Sequence, residues 1–155
     1  MPVRNELIKT SLRGAVTETA ANTYTEVQVD TNLAIRGDHV FIISGIWFLA
    51  AGSLAGAADM IQCQIAYASQ TGIISVNDPD WLCGWRWRME LTTSGSTVWE
   101  PMRYIPINHF PIAVSGLYLG IQGASLGAAA TIAAKIEGYH QKVNTQEYFR
   151  LAQSR

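Results

Sequence analysis

The dominant spacing of apolar positions along this chain is two. In "TYTEVQVD" (residues 23–30) Thr25, Val27 and Val29 share one side, and Glu26, Gln28 and Asp30 share the other. That alternation predicts a half-buried strand. "MIQCQIAYAS" (60–69) alternates in the same way, with Ile61, Cys63, Ile65 and Tyr67 against Gln62, Gln64 and Ala66. "CGWRWRMEL" (83–91) is the clearest case: Cys83, Trp85, Trp87, Met89 and Leu91 face one way, and Arg86, Arg88 and Glu90 the other. "HVFIISGIWFL" (39–49) breaks the pattern because it is apolar on both sides and rich in β-branched and aromatic residues. Such a strand is expected to be covered twice, once by its own core and once by something else.

Further strands are predicted at "TVWEPMRYI" (97–105), where Pro101 implies an edge or a bulge, at "AVSGLYLGIQ" (113–122), and at "TIAAKIEGYH" (131–140). Between them "GSLAGAAD", "SVNDPDW", "TTSGS" and "PINHFP" read as loops and turns. Helical signals are confined to the ends. A turn or two fits near residues 5–12, and "NTQEYFRLAQSR" offers Asn144 or Thr145 as a cap with Tyr148, Phe149 and Leu151 on an apolar side. The expectation is an all-β protein of about eight antiparallel strands, a single jelly-roll β-sandwich with short helical terminal segments. Residues 1–22 form an N-terminal segment, 23–140 the sandwich, and 141–155 a C-terminal tail with a short helix.

One stretch competes with that reading. "LYLGIQGASLGAAATIAAKI" (117–136) contains Gly-x-Ser-x-Gly at Gly123–Ser125–Gly127, the spacing of a nucleophile elbow. An elbow needs a helix behind its serine and a parallel sheet with long crossovers around it, and the chain lacks the helical pattern for either. Only Glu137 and His140 follow Ser125 in the acid-then-histidine order, three residues apart on one predicted strand. A glycine-rich loop between strands is therefore expected, and a serine hydrolase using Ser125 is the remote alternative.

Composition sharpens the picture in one respect. Of 155 residues, 48% are hydrophobic and 15% charged, against about 25% charged in a typical soluble domain. Few charges are available to cover the surface, so apolar surface covered by a partner, and hence an oligomer, is expected. The formal net charge of −1 carries no overall nucleic-acid signal. Both ends are slightly basic: Arg4, Lys9 and Arg13 precede the sandwich, and Lys135, Lys142, Arg150 and Arg155 close the chain. Arg4, Lys9 and Arg13 are the candidate polyanion contacts, although a dedicated arm would be denser in cations. The first residues, "MPVRNELIKT", lack the apolar core of a signal peptide, and the run at 40–58 is too interrupted to be a membrane span.

The candidate chemistry is sparse. Cys63 and Cys83 read as buried free thiols, with no redox compartment implied. Asp78 and Asp80, with Asn77, offer oxygen ligands for calcium, but an Asx-type turn is the favoured reading of them. His39, His109 and His140 have no metal-binding spacing. No cofactor, and no enzymatic activity, is expected. Trp81, at a loop end, suits a subunit contact or a sugar-stacking platform; the contact is favoured because polar groups beside it are not assignable. Arg86 and Arg88 alternate with tryptophans in the manner of a single-strand nucleic-acid surface, but a regular strand turns them away from Trp85 and Trp87.

"HFPIAVSGLYLGIQG" (109–123) before a last strand "TIAAKIEGYH", together with "VFIISGIWFL" and the order of strands before them, resembles the single jelly-roll coat proteins of small icosahedral viruses. The likeness spans about residues 23–140. It implies self-assembly into a closed shell or ordered array, a virion location, copies of the chain itself as partners, nucleic acid as a further partner, and no catalysis. The short, sparsely basic N-terminus departs from coat proteins that package RNA through a long basic arm. The subunit-contact candidates are Phe41, Ile43, Trp47, Trp81, Trp99, Tyr148 and Phe149. The alternative function is a non-catalytic β-sandwich binding module, trimeric or carbohydrate-binding.

Overall fold

The computed structural model describes residues 9–33, 38–88, 90–91, 97–98 and 100–153. The strands are β1 (Lys9–Thr17), β2 (Thr25–Asp30), β3 (His39–Ala51), β4 (Met60–Ala66), β5 (Trp81–Arg88), β6 (Glu90–Leu91), β7 (Thr97–Val98), β8 (Met102–Ile112), β9 (Gly116–Ala124) and β10 (Thr131–Lys142), followed by helix α1 (Thr145–Gln153). Eight of them form two four-stranded sheets, β1-β10-β3-β8 and β2-β9-β4-β5; β6 and β7 make a separate hairpin. All pairings are antiparallel, and four of them are nested: first with last (β1·β10), then β2·β9, β3·β8 and β4·β5. A long hairpin rolled up on itself gives this order, and that is the jelly roll.

The first strand lies where the sequence offered a terminal helix. Residues 9–17 are β1, so the sandwich starts ahead of residue 23; of the predicted turn at 5–12, residues 9–12 are strand and 5–8 lie outside the described residues. Leu12 and Val16 face the core from β1 and are buried. "PINHFP", expected as a loop, is the second half of β8. Its prolines are tolerated because β8 is an edge strand, paired on one side only, and its register with β3 shifts at Ile43/Gly45. The edge position inferred from Pro101 agrees with this.

The core lies between the sheets. Phe41, Ile43, Ile46 and Phe48 of β3, Ile61 and Ile65 of β4, Leu117, Leu119 and Ile121 of β9, and Ile132 and Ile136 of β10 are fully buried. Burying such side chains contributes about 1.5–3 kcal/mol each. Trp87 completes the β5 side, donating its indole N–H to the Glu100 carbonyl at 3.0 Å. Cys63 and Cys83 are free and buried here. Burial pushes the Cys83 thiol up to about 12 and raises Cys63 as well, which keeps both protonated.

The loop carrying Ser125 joins β9 to β10 and is locked from below. The buried Glu18 carboxylate accepts the Gly123 N–H at 2.6 Å and the Ala130 N–H at 2.8 Å. Asn22 donates to the Leu126 carbonyl at 3.1 Å and accepts the Leu126 N–H at 2.8 Å, while the Leu126 side chain plugs the core. Strand, not helix, follows Ser125. Glu137 points to the outer face, and His140 is turned toward the Thr31 carbonyl at 2.8 Å. The three groups do not converge, so the Gly-x-Ser-x-Gly stretch is a structural loop.

Candidate assembly surface

The outer faces of the two sheets differ in chemistry. On the β2-β9-β4-β5 sheet the outward positions are Glu26, Gln28, Tyr118, Gln122, Gln62, Gln64, Arg86 and Arg88. Residues 67–80 fold back over its centre. Gln64 is wholly buried there: its amide donates to the Gly72 carbonyl at 3.0 Å and to the Tyr24 hydroxyl at 3.1 Å, and its oxygen accepts the Ile74 N–H at 2.8 Å. Glu26 accepts from the Gln70 N–H at 3.0 Å, from the Ser69 hydroxyl and from the Tyr24 hydroxyl. The amide of Gln64 and the carboxylate of Glu26, both drawn away from water, thus gain partners.

The β1-β10-β3-β8 sheet has no such roof among the described residues. Its register places Met102, Leu49 and Ala133 side by side across β8, β3 and β10, with Tyr104, Trp47 and Lys135 in the next row. Leu49 is 49% exposed, Met102 57% and Tyr104 39%. Tyr104 and Trp47 pack ring to ring, 4.7 Å between centroids. The phenol of Tyr104 lies over Gly45, where a Cβ would collide with it. Trp47, Leu49, Met102, Ala133 and the stem of Lys135 border a shallow apolar depression of about 550 Å3. This is the unpaired side of the doubly apolar strand.

Toward β1 the same face becomes polar. Lys9, Arg13 and Lys135 stand beside Ser11 and Glu137. Lys135 pairs with Glu137 at 2.7 Å and, with help from the Trp47 indole, holds that carboxyl below the usual carboxylate range. At the bottom of the sheet Asp38 accepts from Lys142 at 3.1 Å and from His39 at 2.7 Å, which lowers its pKa.

A further apolar surface opens between the free edges of the sandwich, β5 and β8. A cleft of about 800 Å3 there is lined by Trp81, Leu82, Ile105, Ile107 and Phe110, with Leu151 of α1 at one end. Helix α1 is capped by Asn144, which accepts the Glu147 N–H at 2.8 Å. Tyr148 reaches the Ala113 carbonyl at 3.4 Å, and Phe149 projects outward, 56% exposed.

The sequence-derived contact candidates are therefore divided. Phe41 and Ile43 are wholly buried and offer a partner nothing. Trp47, Trp81 and Tyr148 are half-buried, and Phe149 is exposed. Lys9 and Arg13 are exposed on the outer face of β1; Trp99 and Arg4 lie outside the described residues. Asp78 accepts the Asp80 N–H at 2.9 Å, an Asx turn, while Asp80 accepts from Gln70 at 3.4 Å. The two carboxylates are thus occupied with the turn and the roof, and no cluster of metal-ligating groups occurs among the described residues. Arg86 pairs with Gln62 of the neighbouring strand. Sequence reasoning missed Leu49, Met102, Tyr104 and Phe110. Their signal was the alternation of "MRY" against "WFL", legible only once β8 is registered on β3.

No protein-family model matches the chain, and no curated protein is detectably similar to it. No helix among the described residues is long and apolar enough to cross a membrane. The chain's shape is similar to several solved structures. One is FlhE, at 6% identity and TM-score 0.42, covering 84% of this chain and 97% of that one. Another is the tomato aspermy virus structure, at 8% identity and TM-score 0.43, covering 87% and 79%. A third is the nora virus structure, at 12% identity and TM-score 0.38, covering 88% and 59%. At these identities and scores the likeness is one of overall shape.

Proposed function

We propose that this chain is a non-catalytic structural subunit that assembles with copies of itself into a closed shell or regular array, a viral coat in the reading its strand order supports. The observation that carries the proposal is the bare outer face of β3 and β8. Leu49, Met102, Tyr104 and Trp47 form one apolar and aromatic surface on a rigid sheet, in a chain poor in charge. Contiguous apolar surface of this kind marks an association site, and aromatic and methionine side chains are the types enriched at interface centres. The cleft at the β5–β8 edges and the outward Phe149 of α1 supply a second contact. Lys9 and Arg13, on the polar end of the same face, are the cations that would meet a packaged polyanion.

The test is the mass of the purified protein by size-exclusion chromatography with light scattering, and negative-stain electron microscopy of the peak. Megadalton particles or ordered arrays are the expected result. A monomer that persists across salt and pH would overturn the reading and leave the β-sandwich as a binding module.

A further inference from the structure

Strand β5 borders a second, smaller recess of about 390 Å3 on the outer side of the roofed sheet. The half-buried indole of Trp81 lines it beside Gly84, whereas the ring of Trp85, whose strand partner is the buried Cys63, packs on the inner side. Gly84 is required there: a Cβ would stand 2.5 Å from the Cys63 carbonyl oxygen and 3.5 Å from the Trp81 indole nitrogen. The wall opposite is apolar, built from Ile73, Ile74 and Val76. That wall is fixed, because the Ile74 N–H is held by the buried Gln64.

The remaining side is polar and positive. Gln62 of β4 stands directly across from Arg86 of β5 and accepts a hydrogen bond from it at 3.0 Å. That bond uses the Gln62 carbonyl oxygen and one guanidinium nitrogen. The Gln62 amide N–H groups and the other guanidinium donors have no other acceptor among the described residues. The recess is bordered by one cation and by no carboxylate.

This is a mixed inventory: one indole, a short apolar wall, unspent N–H donors and one uncompensated positive charge. A pyranose presents a C–H face to an indole and hydroxyl and ring oxygens to N–H donors. A carboxylate on that ring would pair with a guanidinium in a charge-assisted contact. The volume falls at the small end of the range for small-molecule sites. We propose that this recess binds a carboxylated pyranose, a uronic or sialic acid residue, through Trp81, Gln62 and Arg86. The site is independent of self-assembly and would add glycan recognition to a structural subunit.

The experiment is calorimetric titration and saturation-transfer NMR of the full chain with methyl β-glucuronoside and methyl α-sialoside, against methyl β-glucoside as the neutral control. Light scattering of the same samples reads assembly separately. The expected result is binding of at least one acidic glycoside with a Kd below about 10 mM and at least about tenfold preference over the neutral one. Arg86→Gln should erase that preference. Val76→Glu, at an exposed wall position, should weaken the acid by at least about tenfold with an unchanged melting temperature. Absence of binding by both acids at about 20 mM would overturn the proposal. So would equal binding of the neutral glycoside, indifference to both variants, or tighter binding of uridine 5′-monophosphate, a nucleic-acid fragment.

Discussion

The two sheets of this sandwich bury the same kind of inner face and do opposite things with the outer one. The β2-β9-β4-β5 sheet turns mainly polar residues outward, and the chain's own residues 67–80 fold over its centre, where Gln64, Glu26 and Tyr24 bond to one another and to the loop. The β1-β10-β3-β8 sheet turns Leu49, Met102, Tyr104 and Trp47 outward and, among the described residues, covers them with nothing. A polar face can be roofed from within because loop backbone supplies partners for amides and carboxylates. An apolar face needs apolar cover, and no described residue of this chain outside the sheet supplies it there. The difference separates the face the molecule completes itself from the face it leaves for another molecule.

The comparison breaks most severely at Gln64. Truncation in Gln64→Ala strands the Gly72 carbonyl and the Ile74 N–H under the roof and removes one partner of the Tyr24 hydroxyl. We expect a loss of about 3 kcal/mol in urea unfolding, with faster proteolysis confined to residues 67–80. A Gln64→Ala protein with wild-type stability would mean that the roof is not held from below.

On the bare face the expected effect is on association and not on folding. Leu49 and Met102 are direct cross-strand partners, so the double variant Leu49→Glu/Met102→Lys replaces an apolar pair by an opposite-charge pair that a sheet accepts. Self-association should weaken by at least about 100-fold, read as a shift from large particles to monomer in light scattering. The unfolding midpoint should move by no more than about 0.5 kcal/mol. Particles that survive this variant would relocate the main contact to the β5–β8 cleft and α1.

Much of the roofed sheet was legible in sequence because its strands alternate strictly. The roof itself was not. Gln64 sits at a polar position of an alternating strand and reads as solvated, and its partners are backbone groups eight and ten residues on, set by loop geometry. On the other sheet, "HVFIISGIWFL" announced a second cover, but not which residues needed it. Phe41, Ile43 and Trp47 share parity and so a predicted side. The register shift between Ile43 and Gly45 inserts Ser44, whose hydroxyl donates to the Glu137 carbonyl at 3.2 Å. One inserted residue reverses the parity beyond it, leaving Phe41 and Ile43 inside and Trp47 outside. β8 was obscured by its prolines and β1 by its glycine and alanine, since neither residue type carries the period.

Alkaline pH should probe the interior between the faces. Both thiols, on β4 and β5, stay protonated in the folded state while those of the unfolded chain ionise from about pH 8.5 upward. The unfolded state then binds fewer protons, so stability falls as pH rises between there and about 12, where Cys83 itself titrates. The slope approaches about 1.4 kcal/mol per pH unit for each thiol. Burial also raises Tyr24, under the roof, and adds to the loss above pH 10. Urea midpoints at rising pH should show the decline, and Cys83→Ala should flatten it by one thiol's share.

The smallest effect belongs to the polar end of the bare face. Glu137 has its pKa lowered by Lys135, so its contribution is present above the ordinary carboxylate pKa and is lost as pH falls through the lowered value. The pair is surface-exposed, and salt screens such pairs. Glu137→Gln should therefore leave the urea midpoint at neutral pH unchanged in moderate salt. Its effect should emerge instead in assembly, because the substitution raises the net positive charge of a face already carrying Lys9, Arg13 and Lys135. Polyanion-dependent particle formation should strengthen in low salt and revert at high salt. Unchanged salt dependence would place Lys9 and Arg13 outside any polyanion contact and confine the working part of this face to its apolar rows.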